Sequence, residues 1–316
     1  MKEILQLGEL QCVQGEKVQG MYTFANTDIV APVTLINGHG EGRMVLITSG
    51  IHGGEYPSIE AVIELASELQ PNEIQGSMII FHPVNVEGFL DRASGVYPPS
   101  KENLNRQYPG TEEGTIGQRF AYALTNDIIK RCDFMIDTHG GDLHEQLPPY
   151  VYYPGVGDED IVERSRQAAS VVTVKYMVKS QCCANAYHMC NGFGIPSLLL
   201  EMGGKGLWSQ QEVEDYKSNI INLLRHVGVI DEPVIMPEKE AYVITNAAYI
   251  DATHSGCWYP LVELEEYVKQ GQLIGVIKDF FGNILEEVYA EFDALILFNT
   301  VSLAIRAGDP IITYGI

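Results

Sequence analysis

The chain has 316 residues and a mass of 35.0 kDa, enough for one large domain or a large and a small one. Hydrophobic content of 46% and charged content of 20%, with mean hydropathy of -0.01, exclude intrinsic disorder, and 31 glycines without a triplet period exclude collagen. Forty-two acidic residues against 20 basic ones give a net charge of -22, a field that repels nucleic acid and anionic membrane, so neither is an expected partner.

The N-terminus, Met1-Lys2-Glu3-Ile4-Leu5-Gln6, has no basic segment followed by a long apolar one, so no signal peptide is expected. Apolar runs at Met44–Thr48, Met78–His82, Phe134–Asp137 and Ser197–Leu200 predict short buried strands. Between them, helical spacing predicts helices over 58–69, 116–130, 158–169 and 211–226, with Pro57 suited to the first turn of the first. Such alternation means an α/β sheet with helices on both faces.

The texture changes near Asp231. Glu232-Pro233 and Met236-Pro237-Glu238 read as a linker, and the short runs beyond it predict a small all-β module. The expected units are therefore 1–232, an α/β catalytic domain, and 240–316, an all-β domain that shapes a cleft or makes oligomer contacts. The most apolar window, Ala294 to Ile305, is broken by Asn299, Thr300 and Ser302 and reads as a buried strand pair, too short for a bilayer. Six cysteines, including the adjacent Cys182 and Cys183, suit reduced thiols, and the expected compartment is the cytoplasm.

Sites in open α/β sheets form beyond the carboxyl ends of strands. After the first predicted strand comes Gly50-Ile51-His52-Gly53-Gly54-Glu55-Tyr56-Pro57, where a His and a Glu three apart can point at one spot; the bland alternative is a surface pair. The strand 134–138 ends in Asp137-Thr138-His139-Gly140-Gly141. Asp137 shares a face with His139, as residues two apart on a strand do, and is placed to hold that imidazole as a carboxylate behind a metal ligand. The alternative is a core histidine bonded to backbone. Two His and one Glu with an open fourth position form a common catalytic zinc set in hydrolases. Glu201, at the end of an apolar strand before Gly203-Gly204, suits the general base such a site needs, or else an ordinary salt bridge. The scarce cations Arg92 and Arg106 follow the strand 78–82 in one long loop, and Arg is a usual clamp for a carboxylate or an oxyanion.

Taken in order, His52-x-x-Glu55, Asn105-Arg106 before Tyr-Pro-Gly, Asp137-Thr-His139 and Glu201 resemble the succinylglutamate desuccinylase/aspartoacylase family, which belongs with the zinc carboxypeptidases. The resemblance covers roughly residues 20–230, and the β module is similar to the family's C-terminal region. It implies a zinc-carboxypeptidase-like mixed sheet flanked by helices, with a small all-β C-terminal domain. It implies one Zn2+ per chain held by His52, Glu55 and His139, a Glu201 base, Asn105 and Arg106 on the substrate carboxylate, and Arg92 on the oxyanion. The implied activity is hydrolysis of a carbon–nitrogen bond in a small anionic N-acyl amino acid or related compound. The chain departs from the pattern in reading Asp-Thr-His where many relatives have Asp-Leu-His, and His82 and His144 are further histidines near these motifs.

Two other readings share parts of this evidence. One is a zinc carboxypeptidase for small peptides. The other is a catalytically silent scaffold, because the turns Val268-Lys269-Gln270-Gly271-Gln272 and Gly282-Asn283 resemble those of biotinyl or lipoyl carriers. Neither Lys269 nor Lys278 has the context of an exposed hairpin tip, and a homo-oligomer is left open.

Overall fold

Side chains along Val45–Ile47, Met78–Phe81 and Phe134–Ile136 enter two different apolar cores in alternation. A strand with a side-chain period of two does this when both faces of its sheet are covered. The computed structural model describes residues 4–182 and 184–316; Met1–Glu3 of the N-terminal reading and Cys183 of the cysteine pair lie outside them.

A hairpin, β1 (Ile4–Leu7) and β2 (Leu10–Val13), comes first. Then come β3 (Glu16–Thr23), β4 (Val30–Asn37), β5 (His39–Ser49), α1 (Tyr56–Glu68) and β6 (Gln75–Pro83). After α2 (Val86–Asp91) and α3 (Ile116–Ala123) lie β7 (Phe134–His139), the two-residue β8 (Glu145–Gln146) and β9 (Tyr150–Pro154). The segments α4 (Glu159–Ala169), β10 (Tyr176–Ser180), α5 (Ala186–Gly192), β11 (Ser197–Glu201), α6 (Gln210–His226) and β12 (Tyr242–Ile244) follow.

Nine strands form one mixed sheet in the order β12-β10-β9-β11-β7-β5-β6-β4-β3. Its centre is parallel, β11 with β7, β7 with β5 and β5 with β6, whereas β4 and β9 run against their neighbours β6 and β11. Helices α1, α4 and α6 cover one face and α3 and α5 the other. The expected fold class is the observed one.

Three of the four expected helices match to within two residues. Pro57 lies in the first turn of α1, and α4 and α6 are capped by the side chains of Asp158 and Ser209. The helix expected over 116–130 differs: it is α-helical only to Ala123, widens into a π turn at Leu124–Ile128 and tightens to a 3-10 turn at Ile129–Arg131. The change of pitch leaves Ile128 and Ile129 buried and Lys130 and Arg131 exposed.

The C-terminal region is all β. Strands β13 (Ala247–Asp251), β15 (Tyr267–Val268), β18 (Ala294–Thr300) and β20 (Pro310–Gly315) build one sheet, ordered β13-β20-β18-β15. Strands β14 (Gly256–Pro260), β16 (Leu273–Lys278), β17 (Ile284–Tyr289) and β19 (Ala304–Ile305) build the other, ordered β17-β16-β14-β19. The two share a core around Trp258, Ile277, Ile296 and Ile312. The apolar window 294–305 thus supplies β18 and β19 to different sheets. Neither Lys269, which pairs with Asp293 at 2.8 Å, nor Lys278 stands at the tip of the β16–β17 hairpin, which is Asp279–Asn283.

The two regions are stitched together. Within the large sheet, β12 pairs with β10, while β8 reaches out and pairs with β18, Gln146 opposite Asn299 and Glu145 opposite Thr300. The Val301 amide donates to the His144 carbonyl at 2.7 Å. Tyr150, Tyr176, Val178, Ile244 and Leu297 form a separate apolar cluster across the junction. No helix among the described residues is long and apolar enough to cross a membrane.

Candidate active site

The carboxyl ends of β5, β7 and β11 lie side by side, so the turns that leave them converge. Glu55 occupies the N-cap position of α1, but its side chain takes no helix amide. Instead Oε1 lies 2.8 Å from His52 Nδ1 and Oε2 lies 3.1 Å from His139 Nδ1. Ligand atoms of His52, Glu55 and His139 all fall within 4.8 Å of one another. The two glycines between His52 and Glu55 are required by packing. A Cβ on Gly53 would sit 2.1 Å from the Phe89 amide nitrogen, and one on Gly54 would sit 2.0 Å from Asp142 Oδ1.

Each imidazole is held from behind through Nε2. His139 Nε2 lies 3.3 Å from both Asp137 Oδ2 and Asn105 Nδ2. Asp137 is itself fixed by the Thr48 hydroxyl, which donates to Oδ1 at 2.7 Å. His52 Nε2 lies 3.1 Å from Asn103 Oδ1. The Tyr216 hydroxyl, which accepts from the Met202 amide at 3.0 Å, donates to the His139 carbonyl. Both Nδ1 atoms are thereby turned to the Glu55 carboxylate, and the donor set of two imidazoles and one buried carboxylate suits a divalent metal ion such as zinc.

The electrostatics match this geometry. Burial alone would raise the Glu55 carboxyl, but the flanking His139 and His52 outweigh it and hold it at about 2. Burial works against a charge on His139, yet Glu55 and Asp137 raise its pKa well above the ordinary imidazole value. His52 is also raised, Glu55 overcoming its burial. Glu201 goes the other way. Burial, reinforced by Glu55, Glu145 and Asp137 and only partly offset by His139, pushes it well above the carboxylate range, and its Oε2 is buried without a hydrogen-bond partner.

Asn105 is buried beside His139, while Arg106 is exposed on the cleft wall and donates to the Asn105 carbonyl at 3.2 Å. Arg92 stands apart: it is exposed, closes α2 in the left-handed conformation and is outside the cleft lining. The geometry therefore gives no support to the oxyanion role expected of it. His82 is a core histidine, 2.8 Å from the Thr34 hydroxyl, and its burial lowers its pKa. His144 lines the cleft but is exposed and outside the His–Glu–His group.

The site opens into a cleft of about 1040 Å³ between the large sheet and the C-terminal strands. Tyr150, Tyr152 and Tyr187 line it from one side, and Tyr249 and Asp251 from β13 line the other; the Tyr249 and Tyr152 hydroxyls are 3.4 Å apart. Its cations are Arg106 and Lys179, against the carboxylates of Glu55, Asp142, Glu145, Glu201, Asp251 and Asp309. Burial pushes Glu145 up to about 7.

Sequence reasoning missed Asn103, Glu145, Asn185 and Tyr249. Asn103 lay two residues from a motif already singled out. The others carried no local signal: a two-residue strand brings Glu145 to the cleft, the distant β module brings Tyr249, and Asn185 stands at the N-cap of α5.

The ends of adjacent strands in this α/β mixed sheet thus gather a His–Glu–His group able to hold a metal ion and the Glu201 carboxylate beside it. The family model of the succinylglutamate desuccinylase/aspartoacylase catalytic domain matches residues 41–227, and the chain belongs to this family. It is similar to the N-alpha-acetyl-L-2,4-diaminobutyric acid deacetylase of Halomonas elongata, 25% identical over 291 residues, covering 90% of this chain and 84% of that one. A succinylglutamate desuccinylase/aspartoacylase from Rhodobacter sphaeroides has the same fold, with 26% identity, a TM-score of 0.81 and 95% of each chain covered. So does the product-bound ectoine utilization protein EutE (DoeB) of Ruegeria pomeroyi, with 22% identity, a TM-score of 0.84 and 95% of each chain covered.

Proposed function

We propose that the chain is a zinc-dependent amidohydrolase that removes the acyl group from a small N-acyl amino acid. The observation that carries this reading is the turning of His52 Nδ1, His139 Nδ1 and the Glu55 carboxylate to one point, with Glu201 beside them. The residues that would hold one zinc per chain are His52, Glu55 and His139. Bound there, zinc would lower the pKa of a water and polarise the scissile carbonyl.

The chain's own residues divide the remaining work. Glu201 accepts the proton of the attacking water and passes it to the leaving amine, a role its raised pKa suits. Asp137 holds the His139 ring through Nε2. Asn105 and Arg106 bind a carboxylate on the substrate, because Arg106 is one of two cations on an acidic cleft wall. Residues 240–316 wall the cleft through Tyr249 and Asp251 and restrict it to small substrates. The Halomonas relative, named for its action on an N-acetylated diamino acid, supports an N-acyl amino acid as the substrate class.

The test is metal analysis of purified protein together with a hydrolysis panel. About one zinc per chain is expected. N-acetyl amino acids should be cleaved in preference to dipeptides. Preference for dipeptides would select the carboxypeptidase reading, and absence of all hydrolysis with zinc bound would reject an enzyme.

A further inference from the structure

We infer that the side chain of the leaving amino acid is aromatic, and that Tyr152 and Tyr249 form the subsite that takes it; this rests on the deacylase reading above. Tyr150 is the direct partner of Glu201 in the antiparallel register of β9 and β11, and Tyr152 is the partner of Leu199. Direct partners across a ladder share a face of the sheet, as do residues two apart on a strand, so both rings lie on the same face as the Glu201 carboxylate. Their centroids are 5.1 Å apart, with the planes at 84°. Tyr249 continues the row from β13, its hydroxyl donating to that of Tyr152 at 3.4 Å. Three rings thus lead from Glu201 to the C-terminal wall, and all three line the cleft.

Two features assign this row to the leaving half of the substrate. Glu201 passes its proton to the leaving amine, so a row that begins at Glu201 begins beside that nitrogen. Arg106, which takes the carboxylate of the same half, reaches Tyr249 and Asp251 with its charge from across the cleft. A side chain held between those two points falls along Tyr152 and Tyr249. What it meets there is ring surface. Tyr249 is 55% exposed although it stands in the cleft wall, and Tyr152 is half-buried, whereas Tyr150 is buried. The Tyr152 and Tyr249 hydroxyls are turned to one another, which leaves the faces and edges of the rings for a ligand. Leu199, Ile250 and Phe298 add apolar surface to the same cleft. Exposed rings beside aliphatic side chains are best covered by another ring, in edge or offset contact.

The test uses the zinc-loaded full chain and three substrates: N-acetyl-L-phenylalanine, N-acetyl-L-alanine and N-α-acetyl-L-2,4-diaminobutyrate. Wild type should favour the phenylalanine substrate over the alanine one by about tenfold or more in kcat/KM, the scale of one ring removed from water. Tyr249→Ala should cut that ratio by about tenfold, chiefly through KM, with zinc content retained, and Tyr249→Phe should restore it because the ring and not the hydroxyl does the work. Equal rates on the phenylalanine and alanine substrates in wild type, a higher rate on the diaminobutyrate, or a ratio that survives in Tyr249→Ala would overturn the inference; the wild-type comparison decides even if the variants do not fold. Calorimetry with free L-phenylalanine and L-alanine separates the two readings. Tighter, Tyr249-dependent binding of phenylalanine without hydrolysis of any substrate would keep the aromatic subsite and reject the deacylase. Equal hydrolysis of all three substrates would do the reverse, and neither hydrolysis nor discrimination would reject both.

Discussion

Glu201 and His139 are direct partners in the parallel register of β11 and β7, the last pair of the ladder at the carboxyl ends of both strands. Two residues back, Leu199 pairs with Asp137, so the Glu201 carboxylate, the His139 imidazole and the carboxylate behind it are set by a single strand pairing. Any change that slips this register disperses all three.

Asp137 should matter for metal affinity more than for folding. Asp137→Asn removes the charge behind His139 while keeping an oxygen for the Thr48 hydroxyl. Zinc affinity, measured by competition with a chelator, should fall about 10- to 100-fold. Unchanged affinity would mean that Asn105 alone orients the ring.

Metal binding should release protons. In the metal-free chain, burial opposes charge on His139 and His52, but Glu55 outweighs it and both pKa values are raised, so protons compete with the metal to a higher pH than for ordinary imidazoles. Affinity should therefore rise with pH through the neutral range and weaken as pH falls. Calorimetry in two buffers of different ionisation enthalpy should report net proton release at neutral pH. A buffer-independent enthalpy would contradict this.

Tyr216 reaches from α6 to the backbone of the site, and its hydroxyl serves the His139 carbonyl and the Met202 amide. Tyr216→Phe leaves both groups buried without that partner. A stability loss of about 1–3 kcal/mol is expected by urea unfolding. A loss of less than about 0.5 kcal/mol would show that the backbone groups find other partners.

Arg106 is exposed, so its removal should affect binding and leave the fold intact. Arg106→Ala should lower kcat/KM about tenfold on a substrate with a free carboxylate, the scale of a hydrogen bond to a charged group. The corresponding carboxamide should be turned over equally by both proteins. An equal drop on both substrates would assign Arg106 to another task.

The fold and the candidate site residues differed in how far local sequence determined them. The strands 44–48, 78–82, 134–137 and 197–200 were legible because both faces of the central sheet are covered and the runs are continuously apolar. His52, Glu55 and His139 were legible because they leave those strands beside glycines that packing demands. The strands that flank this parallel centre, β3 and β4 on one side and β9 and β10 on the other, had weaker apolar runs. Arg92 illustrates the limit: its place in the loop suggested the cleft, but the left-handed close of α2 leaves it exposed and outside the lining. Which residues of the C-terminal region reach the cleft was not legible, because long-range pairings such as that of β8 with β18 set them there.

The central claim is tested most directly by Glu201→Gln. The amide keeps the side chain's shape but cannot take a proton from water. Purified Glu201→Gln should still hold about one zinc per chain while its turnover of an N-acetyl amino acid falls by about 100-fold or more. Turnover within a few-fold of wild type, with zinc in place, would contradict the account.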